Sequence, residues 1–159
     1  MPETPAAVIG LLRLTVSLRT RLLETLDDAD LDFAVIGNPT LGEVLAELVA
    51  TERAYIAGFR DGAMAWGQPD VASATGTGAV ERLRATVATL DDEFEAAIAA
   101  LTDAEFRERR IDHGGGYILS MRGLLHTWIE ALVIVYGRID VYLRAMGRPR
   151  SEQWRDWIG

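Results

Sequence analysis

The chain has 159 residues, 49% of them apolar, with two histidines, no cysteine and a formal charge of −8. That length suits one domain, residues 1–159, with a core that needs no staples, and the apolar share excludes a disordered chain. Without cysteine there is no disulfide, zinc finger or thiol nucleophile, and the negative charge opposes a nucleic-acid partner.

The first ten residues, MPETPAAVIG, lack the basic region of a signal peptide. No stretch is long and apolar enough to span a bilayer, which takes about 20 residues. A cytoplasmic protein without a membrane partner is the expectation.

A first helix is predicted from Pro5 to about Leu26, with Thr4 as its cap and Pro5 at its first position. Val8, Leu11, Leu12, Leu18, Leu22 and Leu26 give it an apolar face; Arg13, Arg19, Arg21 and Glu24 fall mostly on other faces. The connection from Asp27 to Pro39 carries Asp27, Asp28, Asp30 and Asp32. It lacks the glycine and terminal glutamate of a calcium loop and reads as a solvated acidic linker.

A second helix begins after Thr40, which forms a capping box with Glu43. Its apolar face contains Leu41, Val44, Leu45, Leu48, Ile56 and Phe59. Glu52 falls within that face beside Leu48 and Tyr55, and Glu47 lies at its edge. A carboxylate on a core face needs a partner, a cation or a proton. Residues 62–78 form a long loop with Trp66, open to a lid role or to simple anchoring.

A third helix covers Val80 to Leu101, and Thr102 with Glu105 caps a short turn after it. Arg107 to Ile111 can be extended, and His113 with Gly114, Gly115 and Gly116 makes a flexible hinge. The fourth helix starts near Tyr117 and stops at Gly147, with Pro149 beyond. Leu125, Leu132, Tyr136, Ile139 and Leu143 share one face of it, while Ile134 and Val141 point nearly opposite. Apolar surface on most sides predicts burial on most sides, in the bundle and against a second copy of the chain. The tail, with Trp154, Trp157 and Ile158, is expected to dock on the bundle.

HExxH, GxSxG, GxGxxG and GxxxxGK[ST] are all absent. What remains is spatial. His126 and Glu130 lie four apart on the fourth helix, and Glu47 and Glu52 lie on the second. With Tyr55 and Tyr136 they are the pocket candidates. One imidazole with two carboxylates, His126, Glu47 and Glu130, can hold a divalent zinc, nickel or manganese ion. The same groups can form a hydrogen-bonded network without metal, or a metal-free pocket for a small molecule.

The stretches PTLGEVLAELVATERAYI at 39–56 and YGRIDVYLRAMG at 136–147 resemble the DinB/YfiT-like superfamily of four-helix, often metal-binding proteins. The resemblance implies an all-α, up-down-down-up bundle. It also implies a histidine five residues before a glutamate on the second helix and two histidines on the fourth. Glu52 takes that glutamate's place, Glu47 the first histidine's, and Ala131 and Val135 the other two. The expectation is a DinB-like homodimer without the family's metal centre, either non-catalytic or binding a small ligand. The alternative is a metal-dependent hydrolase, or a thiol-dependent transferase or isomerase, with a rearranged Glu47/His126/Glu130 centre. A regulatory interaction protein with an acidic surface is the third reading.

Overall fold

A computed structural model of the protein describes residues 4–159. Four long helices dominate it: α1 (Pro5–Glu24), α2 (Leu41–Asp61), α3 (Ala79–Ala99) and α5 (Met121–Met146). Two short helices, α4 (Asp103–Glu108) and α6 (Glu152–Trp157), and one hairpin of β1 (Arg110–Asp112) and β2 (Ile118–Ser120) complete it.

Local sequence sets most boundaries. Thr4 caps α1, accepting from the Ala7 amide, and Pro5 occupies the first turn. Reciprocal side-chain and backbone bonds between Thr40 and Glu43 start α2, and Thr102 with Glu105 does the same for α4. Gly147 ends α5 with φ 68, a left-handed conformation in which a side chain is disfavoured, and the Arg148 amide then reaches back to the Leu143 carbonyl.

The fourth long helix begins at Met121 rather than near Tyr117. Ile118 to Ser120 pair antiparallel with Arg110 to Asp112, and Ser120 caps the helix by accepting from the Gly123 amide. Residues 113–117 are therefore a hairpin turn rather than a hinge. The His113 amide donates to the Tyr117 carbonyl and the Tyr117 amide to the Gly114 carbonyl.

The acidic connection 27–39 is not simply solvated. The Asp28 carboxylate accepts from the Gly78 and Val80 amides at 2.6 and 2.9 Å, so it caps α3, whose own N-cap, Gly78, has no side chain. Asp30 is buried and, with Asp27, takes the Arg148 guanidinium beyond the end of α5. Free amides at a helix start and an arginine near the C-terminus recruited these carboxylates.

Side-chain pairs align the helices. Arg13, Arg19 and Leu23 of α1 meet Glu95, Asp91 and Arg84 of α3. Phe59 of α2 and Trp128 of α5 both pack on Phe94 of α3, with ring centroids at 4.9 and 4.8 Å. Trp128 is fully buried, and so is most of the inward face of α5. Its outward face is not. Val133, Ile134 and Val141 are exposed within the single chain: α5 packs chiefly on α2, and the bundle buries one side of it and leaves one flank open.

Helix α6 bridges α1 and α5. Gln153 bonds Ser17 and the Leu14 carbonyl, and the buried Trp154 donates its indole N–H to Asp140 at 2.9 Å. Trp157 stays half exposed, so a single tryptophan anchors the tail.

Candidate functional site

The most unusual chemistry lies inside the bundle. Arg19 of α1 is fully buried, and its guanidinium donates from Nη1 to Glu52 Oε1 of α2 and from Nη2 to Asp91 Oδ1 of α3. Glu52 is buried too, whereas Asp91 is partly open and lines a cleft of about 380 Å³ between α1 and α3 with Leu23, Val87 and Asp92. A planar guanidinium spans two carboxylates in a way that lysine does not. Tyr136 of α5 is close enough to feel all three charges.

Burial and pairing compete here. Desolvation pushes the Glu52 carboxyl up to about 7, against the opposing pull of Arg19. Burial likewise raises the Tyr136 hydroxyl, and Asp91 is raised by burial more than Arg19 lowers it. Arg19 itself stays charged: burial opposes the cation, but Glu52, Tyr136 and Asp91 outweigh it. Arg19 Nε, Glu52 Oε2 and the Tyr136 hydroxyl have no protein partner. The network is thus incompletely satisfied, the state in which a buried polar cluster is most sensitive to change.

Helical periodicity places Glu52 in the core but does not name its partner. Arg19 lies four residues after the buried Thr15 and seven after the buried Leu12, on the core stripe itself. That spacing was the available signal.

A second polar seam runs between α2 and α5. The Glu47 carboxylate receives Arg138 Nη1 at 2.9 Å from each oxygen. Farther along lie Tyr55 and Thr127, whose hydroxyl works against the rise that burial imposes on Tyr55, with Glu130 adding to that rise. Tyr55 also meets Trp66 and His113 edge-on, at 6.0 and 6.2 Å between ring centroids. The Trp66 indole donates to the His113 carbonyl, so Trp66 anchors its loop to the hairpin.

The six pocket candidates do not form one site. Glu52 and Tyr136 belong to the sealed centre, and Glu47 and Tyr55 to the α2–α5 seam. His126 and Glu130 face outward, more than half exposed, with His126 Nδ1 3.2 Å from Glu130 Oε2. Their i,i+4 spacing brings them together, but their environment is solvent rather than apolar helix.

The metal reading fails on donors. Glu47 is held by Arg138, and Ala131 and Val135 offer no ligand atom. Among the described residues no group of three His, Cys, Asp or Glu side chains could hold a metal ion. The rearranged Glu47/His126/Glu130 centre therefore does not form: Glu47 is taken by a cation and the other two lie on an exposed face. The residues present do not fit the group that the resemblance implies.

No helix among the described residues is long and apolar enough to cross a membrane. Comparison with curated proteins gives no match. Among solved structures, a DinB-like protein (YjoA) from Bacillus subtilis is similar with a TM-score of 0.69 and 18% identity, over 92% of this chain and 94% of that one. At that identity the likeness shows the fold, an all-α bundle. The family model described as the DinB superfamily matches residues 12–130, which is most of the chain. With the fold and most of the sequence in agreement, the chain belongs to the DinB superfamily.

Proposed function

We propose that this protein is a metal-free, non-catalytic member of the superfamily, which acts by binding a small molecule and not by metal chemistry. One observation carries the reading. The carboxylate at Glu47, where the resemblance puts a ligand histidine, is occupied by the guanidinium of Arg138. A guanidinium seated on both oxygens supplies the positive charge that a metal would bring, and it has no open coordination position for substrate.

The same reading takes residues 1–159 as one domain with its long helices up-down-down-up. The α1–α3 pairs Arg13–Glu95 and Arg84–Leu23 support opposite directions for those helices. Glu47–Arg138, with Gly58 against Leu124, supports the same for α2 and α5. The cysteine-free sequence supports a cytoplasmic location, and the open apolar flank of α5 supports a homodimer.

The test is metal content. Protein made without a polyhistidine tag is exposed to zinc, nickel and manganese, desalted and analysed by plasma mass spectrometry. Sub-stoichiometric metal is expected. One tightly held ion per chain overturns the reading, and its loss in Glu47→Ala identifies Glu47 as a ligand.

A further inference from the structure

We infer that the cleft between α2 and α3 binds a small monocarboxylate with a compact apolar body, its carboxylate seated on Arg53. The inference rests on the small-molecule reading above and adds a place and a charge class. The cleft has a volume of about 430 Å³ and runs from Arg53 and Thr86 at one end to Arg60 and Glu93 at the other. Gly42, at the start of α2, lies against Ala74, just ahead of α3, and Phe59 packs on Phe94, which sets the ends in this order. Seven residues of helix separate them, about 10 Å along the axis. Ile56 and Leu90 are buried beneath and form an apolar floor, and Ala57 beside them is too small to fill the space. The hollow is of a size that suits a ligand of one ring.

The two ends differ in charge. At one, Arg60 is held by Asp61 and also feels Glu93, so two carboxylates face one guanidinium. At the other, Arg53 is exposed and has no described ion pair or side-chain hydrogen bond. No acidic residue stands three or four positions from it on α2, where a helix would supply a partner. Thr86 makes no described side-chain bond and has its O–H to donate, whereas Thr89 donates its own to the Ala85 carbonyl. A guanidinium and a hydroxyl above an apolar floor suit a carboxylate, whose two oxygens match the guanidinium fork. A phosphate dianion calls for more positive charge than one arginine supplies. A second carboxylate on the ligand would meet Glu93 and be repelled. The cleft therefore selects one negative charge at the Arg53 end and a neutral or cationic group at the other.

The experiment uses the full chain, with metal content measured on the same sample. Benzoate is the probe, and benzamide, terephthalate and inorganic phosphate are the comparisons. In two-dimensional amide spectra benzoate should give saturable shifts at residues 53–57 and 86–90, in the millimolar range that suits so small a ligand. Benzamide, which has the shape without the charge, should bind about tenfold more weakly or worse. Terephthalate and phosphate should also bind more weakly than benzoate, although each carries more charge. Arg53→Met keeps the apolar stem and removes the fork, and should weaken benzoate by about tenfold or more. Arg155→Met, at another exposed arginine, should leave benzoate binding unchanged. Absence of saturable shifts at these residues, equal binding of benzamide, or full binding by Arg53→Met overturns the site. Tighter binding of terephthalate or phosphate overturns the monocarboxylate class. Failed benzoate binding by metal-free protein removes this cleft and leaves the metal-free reading standing, whereas a tightly held metal ion removes that reading whatever benzoate does.

Discussion

Arg19 and Glu52 are joined as an ion pair from which solvent is excluded, one on α1 and the other on α2. The two positions are not equivalent. Removing Arg19 leaves Glu52 without its cation, whereas neutralising Glu52 leaves Arg19 still bonded to Asp91. At pH 8, where Glu52 is ionised, Arg19→Met is therefore expected to cost about 3–5 kcal/mol, the usual penalty for breaking a buried pair from one side. Glu52→Gln should cost less. Urea unfolding followed by circular dichroism measures both, and the reverse order would show that Asp91 does not neutralise Arg19.

The same centre makes stability depend on pH. The Glu52 carboxyl rises from its ordinary 4.5 to about 7 on folding, so between those values the folded protein holds a proton that the unfolded chain releases. The contribution is fully present below pH 4.5 and is lost as pH rises through about 7. Asp91, also raised, acts in the same direction. Asp28, Glu95 and Glu105 are lowered and act oppositely, losing their contribution as pH falls below their ordinary range. Wild-type stability should therefore decline from pH 5 to pH 8, and Glu52→Gln should flatten the decline. An unchanged slope in the variant would assign the effect elsewhere.

His126 and Glu130 form an exposed pair one helical turn apart. Such pairs are worth about 0.3–0.5 kcal/mol. His126→Ala should shift the urea midpoint barely, with no change in metal content. A loss of several times that size would mean that the imbalance in exposure between the two faces of α5 differs in solution.

How far the sequence alone leads differs by element. Capped helices such as α2, with Thr40 and Glu43 at its start and Gly62 at its end, are legible because local chemistry sets them. Glu52 was legible as a core carboxylate because helical periodicity places it between Leu48 and Tyr55. Arg19 was not recognised, because a charged residue on a core stripe is read as surface until its partners are known, and these lie 33 and 72 residues away. Asp28 escaped for the same reason: its role is to satisfy amides of a helix that starts fifty residues later. The hairpin at 110–120 was partly legible. Arg107 to Ile111 suggested extension, but its pairing with Ile118 to Ser120 depends on a turn whose glycines read equally well as a hinge.

Two glycines on α2 separate rigid from yielding neighbours. A methyl group at Gly42 would come within 2.5 Å of the Ala74 carbonyl oxygen and 3.1 Å of the Leu31 carbonyl oxygen, both backbone. At Gly58 the nearest atoms are the Met64 sulfur and a Leu124 methyl, which are side-chain ends. Gly42→Ala should therefore lower the thermal midpoint more than Gly58→Ala. The opposite ranking in a differential scanning experiment would show that residues 71–74 move away easily.

The contact at Gly42 and the Asp28 cap fasten only the second half of the 62–78 connection. Residues 65–72 are exposed, and no described hydrogen bond ties Gly67, Gln68 or Pro69 to anything else. Cut there, the chain becomes two interlocking pieces, one holding α1 and α2 and the other α3 to α6. The Arg19–Asp91 and Glu47–Arg138 pairs cross between the pieces, as does the docked Trp66. The crossover is therefore the point of the chain where a cut or an inserted reporter disturbs the fewest contacts.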